Sequence, residues 1–466
     1  MYVSHRTESL RSFIAAAVLA PLLAVAMPSA ALALSAPSLP AIVHPAHADY
    51  AVVSALPGVE LSTALRDRAD SSAWPAQRVV IDSGAAGDFF GWSVGVDGHT
   101  AVVGAYDVTV GGNEQQGVAY IFTESDGIWT ETAELTAADG HAFDIFGSAV
   151  AISRSMVAIG AYQSSGSRGA VYVFTGSGSH WTQKAKVTAD DAAANDCLGW
   201  SVAASNGNVF AGAPFAVVDG VQVGAVYVFA ATASGWGQVQ KLTASDAQTG
   251  DFFGASVAAD PDTVVVGADS AQIGANVTQG AAYVFGNSGA GWSEAAKLTS
   301  DDGAAFDNFA RSVGVSGSTV FAGAPYATVD DNAFEGAVYV FENTGAGWLQ
   351  SQKLLAGDGA ANNDFGWSVA VSGDNAIVGA TNFYDTDQGQ VYRFAKSGGE
   401  WTQVEELVSG DGPAIDFFGW SVALSGSIAL VGEPFAPVGD HTYQGAAWFY
   451  EGPADIIFAD GFDALP

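Results

Sequence analysis

Positive charge is what this chain has least of: 15 Lys and Arg stand against 49 Asp and Glu in 466 residues, a formal net charge of -34. A surface that acidic repels the phosphates of nucleic acid, and a bare anionic membrane is disfavoured for the same reason. Cysteine is nearly missing as well. With Cys197 alone, no intramolecular disulfide can form. Its place two residues before Gly199, where comparable segments carry Phe89, Ile145 or Phe252, suits a small buried hydrophobe. Helical spacing is also lacking, since no ten-residue window of the repetitive region carries an apolar stripe of period 3.6. Past the N-terminal apolar stretch, no run is long enough to be a membrane-spanning helix.

What is present begins with an address. His5, Arg6 and Arg11 precede FIAAAVLAPLLAVA and the small residues Ala31-Leu32-Ala33, so residues 1–33 are expected to be a secretory signal peptide, with Ala46-His47-Ala48 as an alternative cleavage site. Residues 34–73, rich in Ala, Pro and Ser, are expected to form a flexible leader, and residues 453–466 a short acidic tail with no assigned role. The expected location is secreted, extracellular or on the cell surface, with the periplasm as an alternative.

Between leader and tail the chain repeats itself. The pairs Phe90-Gly91, Phe146-Gly147, Leu198-Gly199, Phe253-Gly254, Phe309-Ala310, Phe365-Gly366 and Phe418-Gly419 recur every 52 to 56 residues. Each is followed by a small-residue stop, from Gly104-Ala105 to Gly432-Glu433, and by a run such as AVYVF or, last, AAWFY. A fourth segment opens on Trp129, Trp181, Trp236, Trp292, Trp348 and Trp401. The last unit lacks this segment, yet an orphan copy at Trp74 stands before the first.

Short runs rich in Val, Tyr and Phe, punctuated by Gly and Asp-Gly, are strand and turn signals, four to a unit. Small four-stranded sheets cannot bury both faces alone and stack around an axis as propeller blades. The predicted fold is all-β, a seven-bladed propeller over residues 74–452, with the Trp74 strand completing the last blade so that no edge stays open. The main structural rival, a solenoid, would carry atypical caps at both ends rather than one unit split between them.

These units, FGWSVA followed by VGA or GAP and then GAVYVF, resemble FG-GAP repeats, the units of the propeller at the head of integrin α chains and of many bacterial surface proteins. The resemblance implies an extracellular binding platform, often associated with calcium and adhesion. The calcium loops of such proteins, D-x-D-x-D-G hairpins between the first two strands, are absent here; Asp260 and Asp262 offer the most carboxylates of any such turn.

Acid gathers instead in the loops between blades and between second and third strands, which open on one face and hold more than half the acidic residues against one Arg, Arg168. Five inter-blade loops share D-x-x-x-x-D: Asp139/Asp144, Asp191/Asp196, Asp246/Asp251, Asp302/Asp307 and Asp411/Asp416. Their first use is as Asx turns; the alternative is that they bind Ca²⁺ or a basic partner. Aromatic and acidic residues of the other loops on that face are candidate ligand contacts: Tyr106, Phe215, Tyr326, Asp330, Asp331, Phe334, Phe383, Tyr384, Asp385, Asp387, Phe435 and Tyr443.

Gly91-Trp92-Ser93-Val94-Gly95 matches a hydrolase nucleophile elbow, which requires a strand, a strained turn and a helix. The serine recurs, at Ser148, Ser201, Ser256, Ser312, Ser368 and Ser421, with no helix to follow. No catalytic residue is therefore expected, and the histidines of the repeat region, His99, His141, His180 and His441, form no metal pair. The expected function is a monomeric, non-enzymatic binding or adhesion module presenting an acidic loop face to an extracellular protein, glycan or cation. A hydrolase or lyase acting in the axial mouth is the alternative, with a spacer lacking any ligand as a third reading.

Overall fold

A computed structural model of the chain describes residues 74–383, 388–410 and 416–452. The expected signal peptide, leader and tail lie outside these residues, as do Tyr384, Asp385, Asp387 and Asp411. No helix among the described residues is long and apolar enough to cross a membrane.

The described residues form seven four-stranded antiparallel sheets. Blade 1 runs Ser93–Asp97, Thr100–Ala105, Val118–Ser125, Ile128–Leu135, and blades 2 to 6 repeat that order. Blade 7 has Ser421–Ser425, Ile428–Glu433 and Ala446–Glu451, and its outermost strand is Ala76–Val79 from the other end of the chain, with Ala76 opposite Tyr450 and Val79 opposite Ala447. First strands of successive blades are neighbours all the way round, Ser421–Ser425 returning to Ser93–Asp97. They form the inner wall of a ring.

The core is divided as the ring demands: seven clusters of buried apolar side chains, each shared by two adjacent blades. Second strands such as Val102–Val103 are buried on both faces, while fourth strands such as His180–Val187 alternate exposed and half-buried residues, the pattern of an outer strand with one solvated face. In blades 1 to 6 the third and fourth strands slip by one residue at the same point, as at Val173/Phe174 and Val340/Phe341; this bulge bends the outer edge and increases its twist. The Ala76–Val79 pairing has no such shift.

Adjacent blades approach to backbone contact at the Gly-Ala stop. A Cβ on Gly104 would lie 2.0 Å from the Gly147 carbonyl oxygen of the next blade, and one on Gly432 would lie 2.0 Å from that of Gly91. Only glycine fits between two backbones that close, which explains why this residue recurs in every unit.

Candidate functional site

The inter-blade loops and the strand two to three loops do share one face, and hydrogen bonds show how each acid there is used. In blades 2 to 5 the first Asp of the spacing is held by a tyrosine and a lysine. Asp139 accepts from Tyr172 Oη at 3.0 Å and Lys186 Nζ at 2.8 Å. Asp191 pairs likewise with Tyr227 and Lys241, Asp246 with Tyr283 and Lys297, and Asp302 with Tyr339 and Lys353. Each ammonium also sits 5.2 to 5.3 Å from its tyrosine ring centroid. Burial works against these charges, but the bonds from Lys and Tyr outweigh it and hold all four carboxyls below the usual range.

In these four loops the second Asp closes a tight turn by accepting the N–H three residues back, not the one two residues on that an Asx turn uses. Asp144 accepts the His141 N–H at 2.9 Å, and Asp196, Asp251 and Asp307 accept those of Ala193, Gln248 and Ala304 at 2.7 Å. The fifth, Asp416, accepts instead from Gln388 Nε2 at 3.0 Å and the Phe418 N–H at 3.2 Å. Among the described residues no three His, Cys, Asp or Glu side chains converge as a metal cluster. Calcium in these loops would have to displace a lysine. Asp260, on the opposite face, accepts the Gly317 N–H of the next blade's hairpin at 2.5 Å.

The serine of FGWS is a clamp. Ser93 Oγ donates to the carbonyl of Gly147 in the next blade at 2.8 Å, and Ser201, Ser256, Ser312 and Ser368 do the same to Gly254, Ala310, Gly366 and Gly419. Ser421 closes the circle on Gly91 at 2.9 Å. The register corrects one member of the series: Ala149, not Ser148, lies opposite Gly160 as Ser93 lies opposite Gly104. Blade 2 therefore lacks the clamp, and the buried Ser148 Oγ has no hydrogen-bond partner.

Ser148 instead occupies the position of Trp92, and this position, directly after the FG pair, is where the blades differ most. In chain order it holds Trp92, Ser148, Trp200, Ala255, Arg311, Trp367 and Trp420. These side chains start the axis-lining strands at the mouth of the ring. Trp92 and Trp420 lie 4.7 Å apart with planes tilted 45°, and Trp420 and Trp367 lie 5.0 Å apart at 47°. Those tilts are near one-seventh of a full turn, as expected for one rotamer repeated on successive blades. Arg311 rests its guanidinium 4.9 Å from the Trp367 ring centroid. It also opposes the burial that raises the pKa of half-buried Asp269.

The loop aromatics fold in behind this arc. Tyr106 stacks on Phe89 at 5.4 Å and meets Trp92 edge-on at 4.6 Å; Phe435 packs on Phe89 and Phe417 and is buried; Tyr443 stacks on Phe89. Phe383 stacks on Trp367, Phe215 meets Trp200 edge-on, and Tyr326 packs against Phe334. Tyr106, Phe215, Tyr326, Phe383 and Tyr443 are half-buried, and Asp330 and Asp331 are exposed. Of the candidate loop aromatics among the described residues, Phe334 is the exposed one at 38%.

Two further phenylalanines on this face are more exposed, Phe143 at 51% and Phe306 at 44%. Each precedes the second Asp of its loop and has left-handed backbone, φ 67° and 72°. The corresponding residues of four other blades are Gly87, Asn195, Gly250 and Asn362, which tolerate that conformation, and that of blade 7 is Ile415, outside the described residues. Sequence reading passed over them because they sit inside the acid spacing. Their signal was a large apolar residue where neighbouring units use Gly or Asn.

Three carboxyls of blades 6 and 7 and their leading loops are wholly buried. Asp364, Asp416 and Glu433 are each 0% exposed. Burial pushes Asp364 up to about 8, the Phe383 N–H at 2.9 Å only partly opposing it. Glu433 stands where other units have Ala. It accepts from Trp448 Nε1 at 2.8 Å, and burial together with the neighbouring Asp416 carboxyl raises its pKa. Oxygens of Asn363, Asp364, Thr381 and Glu433 in this region are buried without a hydrogen-bond partner.

The family described as FG-GAP repeat matches the chain over residues 76–122, 129–174, 181–229, 236–285, 292–341, 348–394 and 401–450. No curated protein matches it.

Proposed function

Because the chain belongs to the FG-GAP repeat family, we propose that it is an extracellular binding module whose loop face engages a protein or glycan. The observation that carries this reading is the pair Phe143 and Phe306. An exposed bulky residue in left-handed backbone costs roughly 1 kcal/mol in strain and leaves apolar surface in water, and glycine or asparagine at the same site avoids both. Residues kept at such a cost mark contact points. Exposed Asp330 and Asp331 share the face with them, and the net charge of -34 favours a cationic partner through long-range steering.

Carboxyls with no exposure at all, found among the described residues in blades 6 and 7 alone, are the feature an enzyme would supply. Asp364, Asp416 and Glu433 are wholly inaccessible to a substrate, and the elbow-like serines donate to backbone carbonyls of the next blade. Both facts favour binding over catalysis.

The test is a screen of the purified chain against arrayed glycans and matrix proteins, with and without calcium. Phe143→Gly and Phe306→Gly relieve strain, so their melting temperatures should equal or exceed the parent's while affinity for any hit falls about ten-fold. Unchanged affinity in both variants, or hydrolysis of a generic ester or glycoside panel without binding, would overturn the reading.

A further inference from the structure

The axial mouth is lined differently from the loop face. The position after the FG pair, at the start of the axis-lining strand, varies from blade to blade, and its side chain is buried in blades 2 and 6 and half-buried in blades 1, 3 and 7. Blades 5, 6, 7 and 1 fill it with Arg311, Trp367, Trp420 and Trp92, four consecutive panels of the ring. One indole of this arc already holds a cation, the Arg311 guanidinium over Trp367. Among the described residues no Lys or Arg lies over Trp92, Trp200 or Trp420, and all three are half-buried rather than sealed. Indole faces attract a cation most when it is partly desolvated, as beside half-buried rings packed among other aromatics. Here the surrounding protein bears a net charge of -34, which further enriches cations.

We propose that the Trp92–Trp420 arc binds an organic cation, an alkylated ammonium or a guanidinium group, in the way Trp367 binds Arg311. Charge and apolar surface are both required. An inorganic ion lacks the surface to cover two indoles, and a neutral ligand of the same shape lacks the attraction. The site is distinct from Phe143 and Phe306, so loss of either leaves the other intact.

The experiment titrates the full purified chain by calorimetry at constant ionic strength with tetramethylammonium chloride, with N-acetylarginine amide and with neopentyl alcohol as the uncharged shape control. Saturable binding of at least one cation is expected, with none for the alcohol. Preference for tetramethylammonium identifies an alkylammonium headgroup as the source, and preference for the arginine amide identifies a partner's side chain. Trp92→Leu and Trp420→Leu should each weaken binding about five-fold, and Trp420→Phe, which keeps the packing, about two-fold. Arg311→Gln, which vacates a third indole, should tighten it about two-fold. Equal binding of the alcohol, no binding of either cation, or folded Trp420→Phe and Arg311→Gln proteins with the parent's affinity would overturn the proposal.

Discussion

Blades 2 to 5 and the arc of blades 6, 7 and 1 are built on one template and stabilised differently. The first group repeats a half-exposed Asp–Tyr–Lys lock four times with nearly the same distances. In the second group the lysine position holds Glu406, Arg78 and Glu134. Ala becomes Glu433, the third-strand tyrosine becomes Trp448, and the left-handed residue before FG becomes Asp364. The regular half makes ion pairs where water screens them and they cost little; blades 6 and 7 of the irregular half seal carboxyls where ionisation is expensive, so that Asp364 and Glu433 hold their protons more tightly. That half also gathers three of the four mouth indoles. A repeat protein can hold its ring with several identical blades and leave a few free to diverge.

The comparison can be broken first at the feature both halves share. Gly267→Ala in blade 4 and Gly432→Ala in blade 7 place a Cβ 2.2 and 2.0 Å from a neighbouring carbonyl oxygen, so each should lose about 3 kcal/mol or more in guanidinium unfolding. A much smaller loss at Gly432 would show the second group to be loosely packed.

Asp364→Asn separates the halves by pH. The carboxyl is neutral in the folded protein up to about 8 but ionises in the unfolded chain near 4, so stability falls as pH rises through that window. The variant should match the parent at pH ~4 and exceed it by on the order of 2–3 kcal/mol at pH ~9 in the same assay. Equal slopes would remove the buried-charge account.

Ser312→Ala should cost about 1 kcal/mol, and Ala149→Ser, which restores the clamp blade 2 lacks, should recover up to about 1 kcal/mol. Smallest is Lys297→Met in the regular half, about 0.5 kcal/mol and vanishing in about 1 M salt. Because its partner Asp246 has a lowered pKa, that contribution should be present above the ordinary carboxylate range and lost as pH falls through it.

The ring was legible in the sequence because periodicity, glycine punctuation and the displaced Trp74 segment each report on backbone geometry, which repeats. The acid spacing was legible as turns, since Asp144 and its equivalents act within three residues. Its first members were not, because Asp139 meets Lys186 from a strand 47 residues away. The indole arc escaped notice for a different reason: Trp92 stands within the most regular stretch of the unit, and its variation among blades shows only when the column is read across them. Ser148 was misassigned because a one-residue offset puts a serine beside the clamp position, and strand register alone separates the two.

The pairing of Ala76 with Tyr450 sets a condition on biogenesis. Segments more than 370 residues apart must meet before the last sheet has its fourth strand, and every internal blade is synthesised earlier than that encounter. Loop closure over such a distance grows only slowly with length, but long-range pairing slows folding. The other six blades each come from one stretch of chain and need no such encounter, so closing the ring is the one step that waits for nearly the whole chain.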